Sequence, residues 1–197
     1  MGAAVVILAG GKSRRMGRDK LELSLGGVSL LESAVQRFSE VFPDVYISIA
    51  DPGKYPGVTA RRIVDIMPGA GPLSGLHAAL SVLGGGVFLA AADLPYASAL
   101  AAKRIIELCG DKEAAVIRLP DGKLEPLFGY YSATLMPRCR DAIVSGENRM
   151  TEILFNADTL YITPDELGGL WDERTIFNIN HPEDFERAKL EFSNRRC

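Results

Sequence analysis

The sequence is poor in the residues on which several common kinds of site depend. It has three cysteines, two histidines and one tryptophan among 197 residues. The cysteines, Cys109, Cys139 and Cys197, are odd in number and widely spaced, which argues against a disulfide framework and against a cysteine metal site. The chain also shows no Ser-His-Asp or Cys-His arrangement of the kind used in nucleophilic catalysis. We therefore expect reduced thiols and a cytoplasmic location.

Long apolar runs and an excess of positive charge are missing as well. Val87–Ala92 is among the longest apolar stretches and falls far short of the roughly 20 residues that span a bilayer. The 22 Lys and Arg residues are outnumbered by 25 Asp and Glu residues, whereas general binding to nucleic acid or to a membrane surface needs a large basic field. The N-terminus leads directly into strand-like residues, so we expect no export signal. Neither nucleic acid nor a membrane is expected as a partner.

Apolar runs alternate along the chain with segments of helical spacing, and no repeat or linker interrupts them. The predicted strands are Ala3–Leu8, Val45–Ala50, Arg62–Asp65, Val87–Ala92, Ala114–Leu119, Leu127–Ser132, Leu160–Thr163 and Ile176–Ile179. The predicted helices are Val28–Phe42, Pro72–Leu83, Ala97–Cys109, Met136–Ser145, Arg149–Ala157 and Pro182–Phe192. This order predicts one α/β domain, residues 1–197, with a mostly parallel sheet and helices on both faces. Ligands of such sheets lie at the carboxyl ends of the strands, where Gly10-Gly11, Asp65 and Asp93 fall.

The segment Val5–Lys20, VVILAGGKSRRMGRDK, is the most informative part of the chain. A buried strand ends in Gly10-Gly11, and five cations follow within a few residues. Glycines let backbone N–H groups approach an anion, and Arg and Lys neutralise its charge, so the segment predicts a polyphosphate-binding loop. It is not a Walker A loop, because Val6 stands where the first glycine belongs. It is not a dinucleotide fingerprint either, because Lys12 replaces the second glycine.

Leu8–Lys20 instead fits the pattern L-A-G-G-x-S-x-R-M-G-x-D-K, and it resembles the sugar- and cofactor-nucleotidyltransferases, above all the molybdenum cofactor guanylyltransferases. Three later segments are similar to motifs of that family, in the same order. They are Gly71–Leu76, Ala92–Tyr96 with Ala92 in the usual cysteine place, and Asn178–Asp184 with His181 in the usual threonine place. The resemblance implies a three-layer αβα sandwich, Rossmann-like, with an antiparallel strand, of the nucleotide-diphospho-sugar transferase type. It also implies a nucleotide-binding N-terminal part and an acceptor side at roughly residues 115–175.

The resemblance further implies transfer of GMP from GTP to the terminal phosphate of molybdopterin, with Mg²⁺ as cofactor and pyrophosphate as the leaving group. That phosphate is already an anion, so the reaction needs positioning and charge neutralisation rather than a general base. Lys20, Arg15 and Asp93 are the implied catalytic residues. The two cations would stabilise charge on the α-phosphate and on pyrophosphate, and Asp93 would be a magnesium ligand. Transient contacts with other cofactor-biosynthesis proteins or apo-enzymes are also expected.

Further residues are expected around the nucleotide and the acceptor. The expected nucleotide contacts are Leu8, Ala9, Gly10, Gly11, Lys20, Asp65, Gly71, Pro72, Leu73, Gly75 and Asp93. Asp65 could accept paired hydrogen bonds from guanine, but contact with the ribose or a role in loop structure is equally open. Asn180 is either a second metal contact or an N-cap before Pro182. Asn178, Asn180 and Arg149 are the candidate acceptor contacts.

Two alternatives stay open at the level of the sequence. Cytidylyltransferases, which act on molybdopterin or on an isoprenoid precursor, resemble this chain but carry L-A-A-G where Gly10 gives L-A-G-G. A nucleotide-binding protein without turnover is the alternative from another class. Retention of Lys20 and Asp93 argues against it, because binding alone does not need a catalytic metal ligand.

Overall fold

The computed structural model describes residues 2–10 and 19–194, and its centre is a seven-stranded mixed sheet. The strands are β1 (Ala4–Leu8), β2 (Ser24–Leu25), β3 (Val28–Ser29), β4 (Val45–Ile49), β5 (Arg61–Val64), β6 (Val87–Ala91), β7 (Ala114–Arg118), β8 (Leu124–Tyr131) and β9 (Thr159–Ile162). The order across the sheet is β5-β4-β1-β6-β8-β7-β9, and β2 and β3 pair separately. β8 runs antiparallel to β6 and β7, and the other pairs are parallel. The predicted α/β fold with one antiparallel strand is confirmed.

Helices cover both faces of this sheet. They are α1 (Leu30–Ser39), α2 (Pro72–Leu83), α3 (Ala99–Cys109), α4 (Met136–Val144), α5 (Met150–Phe155), α6 (Pro164–Leu167) and α7 (Pro182–Asn194). Successive strand residues point to opposite faces, so Val5 and Ile7 of β1 pack in the core that contains α1 and α3, and Val6 and Leu8 in the core that contains α2 and α4. The three-layer αβα sandwich is therefore confirmed.

The start of α1 differs from the sequence prediction for a local reason. The predicted helix begins at Val28, whereas Val28 and Ser29 instead pair with Leu25 and Ser24 in the β2-β3 hairpin. Ser29 then caps the helix, because its hydroxyl accepts the Glu32 N–H and the Glu32 carboxylate accepts the Ser29 N–H. This reciprocal capping box fixes the first turn of the helix at Leu30. The extent of α2, by contrast, is as predicted.

The predicted strand Ile176–Ile179 is wrong. A short 3₁₀ helix occupies Glu173–Ile176, and the chain then continues without pairing to the sheet. The Ile179 N–H donates to the carbonyl of Asp93 at 3.1 Å, and the Ile179 carbonyl accepts a hydrogen bond from Lys20. The backbone groups that would form a strand ladder are thus used to hold this segment against the loop after β6.

The start of β8 also precedes the predicted Leu127. Its pairing with β7 shifts register between Val116 and Ile117, so that Val116 lies opposite Gly129 while Ile117 lies opposite Glu125. The hydroxyl of Tyr131 donates to the carbonyl of Pro126 at 2.6 Å inside this irregular stretch. Irregularities of this kind redirect side chains and occur frequently beside active sites. Here the irregular stretch includes Leu127, which lines the cavity described below.

Cys109 and Cys139 are buried free thiols, and Cys197 lies outside the described residues. Burial raises the pKa of Cys109 to about 11 and that of Cys139 to about 12. Within residues 2–10 and 19–194, the helices all lack the combination of length and apolar composition that crossing a bilayer requires.

Candidate active site

A cavity of about 440 Å³ opens at the carboxyl ends of β1, β4 and β6. Such ends meet at one edge of a parallel sheet and form the usual ligand crevice of this architecture. The lining residues are Leu8, Ala9, Gly10, Lys20, Leu21, Ser48, Ala50, Asp51, Lys54, Asp65, Gly69, Gly71, Pro72, Gly75, Ala91, Asp93 and Leu127. The structure thus brings together most of the positions that the motifs predict, from segments far apart in the chain.

Asp93 carries the negative charge at one side of this cavity. The Lys20 ammonium contacts its Oδ2 and also donates to the Ile179 carbonyl at 2.9 Å and to Asn180 Oδ1 at 3.2 Å. The Asn178 side chain, oriented to satisfy its hydrogen bonding, donates its amide N–H groups to both Asp93 oxygens at 2.8 Å. Lys20 and Asp93 are 17% and 16% exposed, so water screens their attraction less than at the surface.

This donor set suits a magnesium ion that arrives with a triphosphate. Among the residues that the structure describes, no group of three or more His, Cys, Asp or Glu side chains converges as a metal site. Mg²⁺ in nucleotide sites takes one or two carboxylates and fills its remaining positions with phosphate oxygens and water. Asp93 supplies the carboxylate, and the Asn180 amide oxygen lies beside it across the Lys20 ammonium. The residues fit a shared site, in which the substrate provides part of the coordination.

Asp65 and Ser48 are the polar groups of the cavity wall beside α2. Asp65 follows β5, and its Oδ1 accepts a hydrogen bond from the buried Ser48 hydroxyl at 3.4 Å. Burial raises the pKa of Asp65 above its ordinary value, although the Ser48 hydrogen bond acts in the opposite direction. A half-buried carboxylate with one long hydrogen bond retains acceptor capacity for a ligand.

Helix α2 approaches this wall closely at Gly75. A Cβ at that position would lie 2.6 Å from both Leu8 Cδ2 and Ser48 Oγ. Both neighbours line the cavity, so the glycine allows the helix to rest directly on the ends of β1 and β4. Gly71, before the helix, has φ +60°, a left-handed conformation that glycine adopts without strain. The glycines of the second motif therefore have a structural requirement in addition to their place in the cavity.

Among the described residues, the predicted site residues Leu73, Asn178, Asn180 and Arg149 do not line the cavity. Gly11 and Arg15 lie outside the described residues. Leu73 is fully buried in the core beneath α2 and does not line the cavity. Arg149 is the N-cap of α5, and its guanidinium pairs with Glu147 at 2.8 Å and with Glu152 at 3.1 Å. Its role toward an acceptor stays a prediction, without support from its position.

The sequence reasoning missed the contribution of β4 and the loop that follows it. Ser48, Asp51 and Lys54 all line the cavity, and Lys54 also pairs with Asp19 at 2.8 Å. The available signal was Ser48, a polar residue inside the apolar run V-Y-I-S-I-A, together with Asp51, which directly follows that run. Because β4 is parallel to β1, its carboxyl end had to lie beside the first loop.

Glu125, in the irregular part of β8, is a further half-buried carboxylate near this site. Burial raises its pKa, the Leu127 N–H that donates to it at 3.3 Å acts in the opposite direction, and the negative charge of Asp93 raises the pKa further. Glu125 thus lies close enough to Asp93 for their negative charges to repel each other. Glu125 falls within residues 115–175, where the resemblance to the family implies the acceptor side.

Comparisons with known proteins agree with this geometry. A family model described as a MobA-like NTP transferase domain matches residues 5–172. A probable molybdenum cofactor guanylyltransferase of Pelotomaculum thermopropionicum is 32% identical over 98% of this chain and 95% of its own length. Another, from Carboxydothermus hydrogenoformans, is 30% identical over 96% of both chains.

Solved structures give the same result. The crystal structure of molybdopterin-guanine dinucleotide biosynthesis protein A from Archaeoglobus fulgidus matches with a TM-score of 0.86 at 26% identity, over 97% of this chain and 99% of that one. A 2-C-methyl-D-erythritol 4-phosphate cytidylyltransferase from Thermus thermophilus, 20% identical over 98% of this chain and 100% of that one with a TM-score of 0.69, shares the fold. With its four motifs in order and a cavity built from three of them, the chain belongs to the molybdenum cofactor guanylyltransferase family, within the MobA-like NTP transferases.

Proposed function

We propose that this protein transfers GMP from GTP to the terminal phosphate of molybdopterin and releases pyrophosphate. The observation that carries the proposal is the Lys20–Asp93 pair, held at the rim of the strand-end cavity by Asn178, Asn180 and Ile179. A shielded cation beside a carboxylate serves phosphoryl chemistry, in which charge must be neutralised where it develops. Family membership narrows the nucleotide and the acceptor.

The base would lie against the part of the wall that Asp65 and Ser48 form. Guanine presents N1–H and the N2 amino group side by side, and one ionised carboxylate can accept from both. Cytosine offers only its amino group as a donor on the corresponding edge. Asp65 is therefore our choice for the residue that favours GTP over CTP.

The triphosphate would extend from there toward Gly10, Lys20 and Asp93. Lys20 would leave Asp93 and donate to phosphate oxygens, stabilising the charge that builds up as the bond to pyrophosphate breaks. Asp93, with Asn180 beside it, would hold a magnesium ion that enters with GTP, and the ion would supply further neutralisation of the phosphate oxygens. Asn178 would keep the Asp93 carboxylate in a fixed orientation, as its two hydrogen bonds do in the structure.

The acceptor brings its own anionic oxygen to the α-phosphorus, so a general base has no role in this reaction. The chain's contribution is to align the two phosphates and exclude competing water. Asn178 and Asn180 would also contact the acceptor from the loop before α7. The buried free thiols support a cytoplasmic location, where the product would pass to apo-enzymes.

Pyrophosphate release with molybdopterin present tests the proposal when GTP, CTP and ATP are compared side by side. We expect turnover with GTP and at least tenfold less with CTP. Lys20→Ala should lower kcat about 100-fold or more, in the range seen for loss of a group that stabilises a developing anion. Lys112→Ala is the matched control, since Lys112 is a half-exposed lysine paired with Asp158. Equal or better turnover with CTP would show a cytidylyltransferase, and nucleotide binding without pyrophosphate release would show a non-catalytic protein.

A further inference from the structure

Asp19, the residue immediately before Lys20, has both of its carboxylate oxygens engaged. Oδ1 accepts the Leu21 N–H at 3.2 Å as the N-cap of the 3₁₀ helix Lys20–Glu22. Oδ2 accepts the Tyr55 hydroxyl at 2.8 Å and the Lys54 ammonium at 2.8 Å. Leu21 is itself buried in the core, so the backbone on either side of Lys20 is anchored.

The donors to Oδ2 belong to the loop between β4 and β5, which is itself held in place. The Tyr55 side chain is 5% exposed. The Arg62 guanidinium donates to the carbonyls of Lys54 and Tyr55, each at 2.6 Å. These charge-assisted hydrogen bonds fix the backbone of the loop, and so they restrict the positions of the Lys54 and Tyr55 side chains.

The electrostatics of Asp19 favour its ionised form. Burial by itself raises the pKa of Asp19, but the hydrogen bonds from Lys54, Tyr55 and Leu21 outweigh burial, and the pKa lies below its ordinary value. The hydrogen bond that Lys54 donates to Asp19 in turn raises the pKa of Lys54. Asp19 is therefore a fixed negative charge between Lys20 and Lys54, two lysines that line the cavity.

We propose that Asp19 is a positioning residue that ties Lys20 to the β4–β5 loop and so aims the ammonium of Lys20 at the triphosphate. Lys20 has to move from Asp93 to the phosphates when the nucleotide binds, and it does so from a backbone that Asp19 holds against Tyr55. This inference rests on the proposed role of Lys20 in binding the triphosphate.

The affinity for Mg·GTP, measured by calorimetry on the full chain, tests this inference. Asp19→Asn keeps a good N-cap but removes the charge, and we expect about tenfold weaker binding. Tyr55→Phe removes one hydrogen bond, and we expect about threefold weaker binding. Glu22→Gln is the matched control, since Glu22 is an exposed carboxylate of the same 3₁₀ helix. It should bind as the wild type does, and melting temperatures should confirm that all three variants fold.

The decisive comparison repeats Asp19→Asn in a Lys20→Ala background. A residue that acts through Lys20 has no effect once the Lys20 side chain is removed. In the Lys20→Ala background we therefore expect Asp19→Asn to weaken Mg·GTP binding by less than twofold. A tenfold effect that persists in this background, or an Asp19→Asn variant that binds as the wild type does, would overturn the inference. Unchanged binding by Lys20→Ala alone would instead overturn the proposed role of Lys20 in binding the triphosphate, and with it the inference, whereas a lack of GTP-dependent pyrophosphate release would overturn the proposed reaction.

Steady-state kinetics separate positioning from a general loss of folded enzyme. A merely structural role for Asp19 would reduce the amount of active protein, and would therefore lower apparent kcat at an unchanged KM for GTP. Misdirection of Lys20 changes the interaction with the triphosphate itself, so Asp19→Asn should raise KM for GTP as well as lower kcat. An unchanged KM would contradict the assignment.

Discussion

Gly75→Ala is a small substitution with a large expected effect on the nucleotide cavity. The added methyl group would meet Leu8 Cδ2 and Ser48 Oγ, each at 2.6 Å, and real Cβ contacts are not that short. Both neighbours are ends of side chains, so they can rotate away. Leu8 and Ser48 both line the cavity, and Ser48 hydrogen-bonds to Asp65. Relief of the clash therefore narrows the cavity or disturbs the carboxylate that we assign to the base.

Two opposing effects determine the change in stability. Replacing glycine by alanine inside a helix stabilises it by about 1 kcal/mol. Overpacking a well-filled region costs about 1–3 kcal/mol. The net loss in the free energy of unfolding should therefore be about 1 kcal/mol, which corresponds to a fall in Tm of about 3 °C for a domain of this size. The effect on binding should be larger, about tenfold in KM for GTP, because the displaced atoms line the cavity in which we propose that the nucleotide binds.

Thermal unfolding and GTP kinetics on the same preparation check this prediction. Gly169→Ala is the control, since Gly169 lies in the 3₁₀ helix Gly168–Leu170 and a Cβ there meets nothing within 4 Å. That control should leave KM unchanged and Tm unchanged or slightly higher. If Gly75→Ala also left KM for GTP unchanged, the argument that this glycine sets the shape of the cavity would be refuted.

Two further predictions concern buried titratable groups. Because burial raises the pKa of Asp65, its negative charge destabilises the folded state at pH values above its ordinary pKa. Asp65→Asn should therefore raise Tm at pH 7 by about 2 °C while weakening GTP binding about tenfold. A lower Tm would contradict a destabilising effect of this charge. Burial raises the pKa of Cys139 from 9.0 to about 12, so the unfolded chain loses this proton first and stability falls as pH rises from about 9 to 12. Urea unfolding at pH 8 and pH 10.5 checks this. Between these pH values the free energy of unfolding should fall by about 2 kcal/mol less in Cys139→Ala than in the wild type. Equal falls in the two proteins would refute the raised pKa of Cys139.

The local sequence was sufficient to predict the layers of the fold and part of the cavity lining. The alternation of apolar runs and helical segments predicted the layers, because a strand buried on both faces and an amphipathic helix each have a distinct period. Pro72 at the first turn and Gly84 after the last one bounded α2 correctly. Gly10 after β1 and Asp93 after β6 were expected at one site, since parallel strands bring their carboxyl ends to one edge, and both line the cavity.

Only the tertiary structure decided which chain segments share the site. The stretch Ile176–Ile179 has the composition of a strand, yet its backbone groups bond to Asp93 and Lys20, a use that no local pattern reveals. Asp19 and Tyr55 are 36 residues apart in sequence, and their contact depends on the parallel pairing of β1 and β4. The sequence by itself therefore determined which segments form strands and helices and which functional groups follow them. Long-range packing determined which of these groups come into contact, because such contacts depend on the order and pairing of all strands in the sheet.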